Sequence, residues 1–176
     1  MQVRFSEISP HGSRYELREI AGLEDQQDFR LNGPASAACT LRRKDEGKVE
    51  LQGSLRANLA LVCDRCLGEY DFSAATDVQL LLEALPDESW RLKELECGSG
   101  DLDIIQLEEP VADLDDLFRQ QLYLTLPEKK LCTKQCKGLC PECGVDLNQL
   151  ACACGTKEDR SPFAVLKQLQ ATKKKG

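Results

Sequence analysis

The clearest pattern in the sequence is an alternation of apolar and polar residues between residues 49 and 61. Every second position carries an apolar or small residue, and these positions are Val49, Leu51, Gly53, Leu55, Ala57, Leu59 and Leu61. A period of two residues places these side chains on one face of a β-strand. We therefore predict one long, half-buried strand here.

Two further runs repeat this alternation, one over residues 29–41 and the other over residues 70–82. The sequence Lys44-Asp45-Glu46-Gly47 suits a tight turn between the first run and the central strand. Strands joined in succession by short connections predict an antiparallel meander. Cys63 and Cys66 then lie at the hairpin end between the second and third strands.

A helical period follows Pro110, with apolar residues three or four apart at Val111, Leu114, Leu117, Phe118 and Leu122. Pro110 suits the first turn of a helix, and Pro127 closes the run, so we predict one amphipathic helix that packs on the sheet. Upstream, residues 86–110 are strongly acidic and predict an exposed, mobile connection with one short strand near Leu102–Leu107. A second short helix is predicted from Ser161 as N-cap and Pro162 at the first helical position.

Cysteine usage changes the picture from an ordinary sheet protein to a candidate metal protein. Eight of the ten cysteines fall in clusters, at Cys63, Cys66, Cys132, Cys136, Cys140, Cys143, Cys152 and Cys154. The sequence shows no signal-peptide pattern and no membrane-length apolar stretch, so we expect a cytoplasmic protein with no membrane partner. In that reducing compartment, clustered cysteines bind metal more often than they form disulfides. Cys39 and Cys97 lie outside the clusters and are expected to be plain thiols.

Cys140-Pro141-Glu142-Cys143-Gly144 carries the most specific metal-binding signal. Two residues between the thiolates let both reach one ion, and glycine tolerates the positive φ that turns backbone amides toward sulfur. Our preferred hypothesis is two zinc ions per chain. Site 1 takes Cys140, Cys143, Cys152 and Cys154; site 2 takes Cys63, Cys66, Cys132 and Cys136 and would staple the C-terminal loop onto the strand hairpin.

A competing arrangement holds one zinc by four of the six C-terminal cysteines and leaves Cys63 and Cys66 as free thiols. The single residue between Cys152 and Cys154 is tight for two ligands of one ion, so one of them could be a spectator. A redox role for Cys63 and Cys66 would favour a βαβ context rather than a hairpin. Catalytic zinc is disfavoured because such sites often use histidine, and the single histidine, His11, lies in an exposed turn context.

Charge is distributed unevenly along the chain. Residues 1–127 hold 13 Lys and Arg against 25 Asp and Glu, a net −12, whereas residues 128–176 hold 10 against 5, a net +5. The acidic bulk argues against tight, non-specific nucleic-acid binding, which needs many basic contacts. Arg160 and the tail Lys173-Lys174-Lys175 could still form a small basic binding face. Gly-rich phosphate loops and nucleophile-elbow motifs are missing from the sequence, so we expect neither an enzyme nor a small-molecule substrate.

Several motifs together resemble the YceD family of large ribosomal RNA subunit accumulation proteins. They are the Cys63-Asp-Arg-Cys66-Leu67 turn, the helix that ends in Leu124-Thr125-Leu126-Pro127, the run Cys-Lys-Gly-Leu-Cys-Pro-Glu-Cys-Gly at 136–144 with Leu147-Asn148, and the segment 159–166. The likeness spans residues 40–170. It implies a ribosome-biogenesis factor that acts with the pre-ribosomal large subunit, its rRNA or its processing proteins. It supplies no catalytic residues.

The expected fold class is α+β. Residues 1–127 would form an antiparallel sheet that could curl toward a barrel, with one packed amphipathic helix, and residues 128–176 a cysteine-rich zinc module with a short C-terminal helix. The expected function is non-catalytic support of large-subunit rRNA processing and accumulation, with one or two structural Zn²⁺ ions. The alternatives are a redox-responsive regulator that uses Cys63 and Cys66, and an rRNA-maturation enzyme.

Overall fold

The described part of the chain forms eight strands and one α-helix. The computed structural model describes residues 1–24, 26–45, 47–84 and 104–154. The strands are β1 (Gln2–Arg4), β2 (Ser13–Leu17), β3 (Arg30–Leu31), β4 (Ser36–Asp45), β5 (Lys48–Val62), β6 (Glu69–Ala84), β7 (Ile104–Leu107) and β8 (Val111–Asp113), and the helix is α1 (Leu114–Leu124). A short 3-10 helix at Phe5–Glu7 follows β1.

The predicted antiparallel meander is confirmed by β4, β5 and β6. β5 pairs with β4 on one side and with β6 over its full length on the other. Asp45 lies opposite Lys48, and Gly47 takes a φ of +83° in the turn between them, as a tight hairpin connection requires. The strong alternation in β5 therefore belongs to the centre of the sheet, where one face is buried.

The sheet departs from the prediction at its edges. Its strand order is β2-β4-β5-β6-β7, β3 pairs with β5 beyond the end of β4, and β7 runs parallel to β6. In the described part of the chain no strand joins the edge strands β2 and β7, so the sheet is mixed and open rather than barrel-like. β1 and β8 form a separate two-stranded sheet that the sequence pattern did not predict.

One face of the main sheet carries the hydrophobic core. The apolar positions of β5 predicted to face inward are buried, except the half-buried Gly53. Cys39 is buried in phase with the apolar face of β4, and burial raises the pKa of its thiol to about 11. These observations agree with the expectation that Cys39 is a plain core thiol.

The helix begins later than its period suggested. Val111 belongs to β8, so Pro110 does not lie in the first turn. Asp113 caps α1 instead, because its side chain accepts a hydrogen bond from the backbone N–H of Asp116 at 3.4 Å. Four apolar residues on one side of the helix are buried, as predicted: Leu114, Leu117, Phe118 and Leu122.

Several predictions fall on residues outside the described ranges. They concern the helix from Ser161, the basic residues Arg160, Lys173, Lys174 and Lys175, Cys97 and most of the acidic connection. The described end of that connection contains the predicted short strand, as β7. No helix in the described ranges combines the length and the apolar character that a membrane span needs.

The chain divides into two units. One comprises Met1–Cys63 and Gly68–Cys132 and contains the sheet and helix; the other comprises Asp64–Leu67 and the chain from Thr133 onward. In the described part of the second unit, the only regular pairing is a β-bridge between Leu139 and Asp146.

Gly53 marks a close approach between β5 and β4 and generates a test of the packing. A Cβ atom at this position would lie 2.4 Å from the carbonyl oxygen of Ala38 and 2.7 Å from the Cβ of Cys39. Because backbone would have to shift, we expect Gly53→Ala to lower the free energy of unfolding by about 2 kcal/mol in chemical denaturation. The exposed Arg56 on the same strand is the control, and Arg56→Ala should change the free energy of unfolding by less than about 0.5 kcal/mol. Equal values for the two variants would contradict the close approach.

Candidate metal centres

The first cysteine turn, Cys63–Gly68, connects the two longest strands. β5 ends at Val62 and β6 begins at Glu69, and the backbone N–H of Cys63 donates to the carbonyl of Gly68 at 2.9 Å. Leu67, directly after Cys66, has a φ of +56°. The predicted position of this pair at a hairpin end is confirmed.

The second cysteine turn, Cys140–Val145, has the same construction. The N–H of Cys140 donates to the carbonyl of Val145, and the N–H of Gly144 donates back to the carbonyl of Cys140, both at 2.8 Å. Gly144, directly after Cys143, has a φ of +72°. The left-handed residue after the second cysteine curls the backbone so that N–H groups face sulfur.

Residues 136–139 lie directly on the first turn, within the second unit. The N–H of Leu139 donates to the carbonyl of Arg65 at 3.1 Å, and the Arg65 guanidinium donates to the carbonyl of Cys136 at 2.8 Å. Gly138 makes this approach feasible, because a Cβ there would lie 2.9 Å from the Arg65 carbonyl oxygen. Arg65 thus has a structural role that its place in the CxRC sequence did not reveal.

Asn148 is a second residue that sequence reasoning did not assign. Its side-chain amide donates to the sulfur of Cys136 at 3.3 Å, while its Oδ1 accepts from the N–H of Lys137 at 2.8 Å. Hydrogen bonds of this kind commonly fix the orientation of metal ligands. The Leu147-Asn148 motif drew attention to Asn148, but its position in the sequence did not indicate which atom the side chain would contact.

The sulfur atoms fall into the two sets that the sequence analysis preferred. One set is Cys140, Cys143, Cys152 and Cys154 (site 1), the other is Cys63, Cys66, Cys132 and Cys136 (site 2), and within each set all sulfurs lie within 4.8 Å of one another. None of these eight cysteines forms a disulfide. Four sulfurs bound to zinc at about 2.3 Å would lie about 3.8 Å apart in a tetrahedron, so both sets fit a single ion.

This grouping bears on two questions that the sequence left open. Cys152 and Cys154 both reach site 1, so the tight spacing does not exclude either of them geometrically. Cys63 and Cys66 lie with Cys132 and Cys136, which favours two sites over one. Elsewhere in the described ranges, no histidine or carboxylate set meets the same spacing, and His11 is an exposed turn residue as expected.

The thiols of site 1 oppose one another's ionisation. Backbone N–H groups of Cys143 and Glu142 donate to the Cys140 sulfur and lower the pKa of this thiol to about 7. In contrast, the hydrogen bond with Cys143 raises the pKa of Cys154 to about 12. Closely spaced groups of like charge shift one another in this way. A cation among them would remove the opposition and let all four become thiolates.

The two sites differ in their access to solvent. In site 2, Cys63 and Cys136 are buried, whereas in site 1 only Cys140 is buried and Cys143 is exposed. Beyond Leu122 in the described chain, the buried hydrophobic residues are Cys136 and Cys140. The described cysteine-rich segment therefore lacks a core of large apolar side chains, which is the situation in which metal ligation commonly stabilises a fold.

Comparison with known proteins gives a coherent result. A family model described as "Large ribosomal RNA subunit accumulation protein YceD" matches residues 51–170, a range that includes both cysteine sites. The chain is also similar to "Large ribosomal RNA subunit accumulation protein YCED homolog 1, chloroplastic" of Arabidopsis thaliana, with 27% identity over 167 residues. That match covers 84% of this chain and 52% of the relative, so the chain spans about half the length of the curated relative. No solved structure gives a significant match.

The grouping of the sulfurs predicts the metal content. Elemental analysis of the purified protein should give two metal ions per chain, and Cys140→Ser should reduce this value to one, because three thiols leave site 1 incomplete. Cys39→Ala is the matched control and should retain two ions, since Cys39 lies outside both sites. A value of one in the wild-type protein would contradict the two-site arrangement.

Gly138 and Gly144 form a matched pair that tests the contact with Arg65. Both have nearly the same φ, +75° and +72°. A Cβ atom added at Gly138 would lie within 4 Å of a backbone atom, whereas one added at Gly144 would not. Gly144→Ala should lower the free energy of unfolding of the metal-loaded protein by about 1 kcal/mol through left-handed strain alone. Gly138→Ala should cost at least about 1 kcal/mol more, because the Arg65 carbonyl must also move. Denaturant titration gives both values, and equal losses would show that residues 136–139 do not rest on the first turn.

Proposed function

We propose, from the premise that this chain belongs to the YceD family, that it supports accumulation of large-subunit ribosomal RNA as a non-catalytic, metal-stabilised binding factor. The observation that carries the proposal is the family match over residues 51–170. The family description supports a role in ribosome biogenesis. We further propose that the metal is zinc, that the protein binds its partner without catalysis, and that the partner is the one named below.

Zinc is the proposed metal at both sites. Sets of four thiols that can surround one ion suit Zn²⁺ or iron, and a structural role that needs no redox change favours zinc. The cysteine-rich residues provide the ligands, while Asn148 and the backbone N–H groups of the second turn hold two of the sulfurs by hydrogen bonds. The metal would supply the charge that four neighbouring thiolates require.

A binding role is favoured over catalysis by the composition of the sites. An ion held by four thiolates has no open position for substrate or water, unlike the three-ligand catalytic zinc sites. The single histidine, His11, is exposed and belongs to neither site. A redox-responsive role would centre on exposed Cys143 rather than on buried Cys63, because an oxidant must reach the thiolate.

The proposed partner is the precursor of the large ribosomal subunit, through its rRNA or a processing protein, and the proposed location is the cytoplasm. The acidic bulk of residues 1–127 favours contact with protein over extensive contact with phosphate. Any direct phosphate contacts would come from the basic C-terminal residues Arg160, Lys173, Lys174 and Lys175. The salt dependence of binding should then correspond to a few phosphates only.

Sedimentation of cell extracts tests the target and the metal together. We expect the wild-type chain to co-sediment with large-subunit precursors, and the Cys140→Ser variant or chelator-treated protein to remain mostly at the top of the gradient. Cys39→Ala should sediment like wild type. Wild-type protein that never enters precursor fractions would contradict the proposed function.

An incubation with precursor rRNA and Mg²⁺ addresses the non-catalytic part of the proposal. We expect the rRNA to remain intact over hours at a protein concentration in excess of the RNA. Metal-dependent cleavage at defined positions, lost in Cys140→Ser but not in Cys39→Ala, would instead identify a maturation enzyme.

A further inference from the structure

Leu67 is held in a backbone conformation that leucine disfavours. Within the described part of the chain it is the one non-glycine residue with a positive φ, at +56°. The equivalent position of the second cysteine turn is Gly144, with a φ of +72°. For a bulky residue this region is strained by contact between its Cβ and the following carbonyl, whereas glycine occupies it freely. The same turn can thus be made without the leucine.

Packing does not explain why leucine occupies this position. The Leu67 side chain is 65% exposed, so the strain is not offset by burial in the core. Single exposed leucines are common and need no explanation, and Leu150 at 62% exposure is an example in this chain. Leu67 differs because exposure is combined with strain, a combination that points to a requirement outside the folded chain.

We propose that Leu67 is a recognition residue, which inserts into an apolar pocket on a protein component of the large-subunit precursor. This inference rests on the proposed function and names the class of partner. The first cysteine turn holds the side chain outward, since Arg65 and residues 136–139 fix the backbone beneath it. A rigid support lowers the entropic cost of presenting an apolar side chain to a partner.

The surroundings of Leu67 favour a protein pocket over RNA. Residues 62–71 contain three carboxylates, Asp64, Glu69 and Asp71, against the guanidinium of Arg65, and Arg30 forms an ion pair with Glu69 at 2.6 Å, which leaves a net charge of −1. Phosphates would meet repulsion there. The only other large apolar residue beside the turn in sequence, Val62, is also exposed, at 51%. An exposed apolar side chain with acidic neighbours in sequence suits a pocket that has a basic rim.

The test compares stability with binding in the full-length, metal-loaded chain. Leu67→Asn and Leu67→Gly place residues that tolerate positive φ at this position, so the thermal midpoint should not fall by more than about 2 °C. Their affinity for purified large-subunit precursor particles should nevertheless fall at least about tenfold, because the apolar contact is lost. Leu67→Met should bind within about threefold of wild type. Leu150→Ala is the matched control for an exposed leucine and should bind as wild type.

A photo-crosslinking amino acid at position 67 identifies the class of partner. The expected result is a crosslink to a protein of the particle, and a crosslink to rRNA would overturn the proposal. Wild-type affinity in Leu67→Asn and Leu67→Gly would overturn it as well, while leaving the proposed function intact. A large fall in their thermal midpoint would also overturn it, since it would give Leu67 a structural role. If wild-type protein does not bind the particles, the proposed function fails and this inference fails with it.

Discussion

Four sulfur atoms within 4.8 Å of one another can all carry negative charge only if a cation lies among them. The arrangement in site 1 displays this constraint directly. Hydrogen bonds from backbone N–H groups lower the pKa of Cys140, whereas the hydrogen bond with Cys143 raises the pKa of Cys154. The described chain beyond Leu122 has no large, fully buried apolar side chain. In the account proposed here, metal ligation is the interaction on which this segment depends.

The sheet contributes by fixing where one pair of cysteines lies. β5 and β6 are paired from Lys48 to Val62, and this long ladder ends at the first cysteine turn. The position of Cys63, directly after the last residue of β5, therefore follows from strand register. The second turn repeats the same backbone design with glycine in place of Leu67. The described chain thus uses the same type of backbone turn at two places to bring two thiols together.

The centre of this fold could be predicted from the sequence because its signal is local. Alternation over ten or more residues identified β4, β5 and β6, and helical spacing identified the buried face of α1. The strands β1, β2 and β8 escaped prediction because each has three to five residues, and β1 pairs with β8 more than 100 residues away. The helix start was misplaced because Pro110 suggested a first helical turn, whereas Val111 pairs in β8 and Asp113 caps the helix.

Cysteine spacing identified the pairs Cys63/Cys66 and Cys140/Cys143, since two intervening residues let both thiols of a pair reach one ion. The preferred grouping of these pairs with the other four cysteines coincides with the two thiol sets of the structure. Spacing could not predict that Asn148 contacts the sulfur of Cys136, or that Gly138 permits contact with Arg65, because these depend on distant segments coming together. X-ray absorption at the metal edge of the purified protein tests the central claim most directly. The account predicts a first shell of four sulfur atoms at about 2.3 Å. A shell with nitrogen or oxygen ligands, or fewer than four sulfurs, would contradict it.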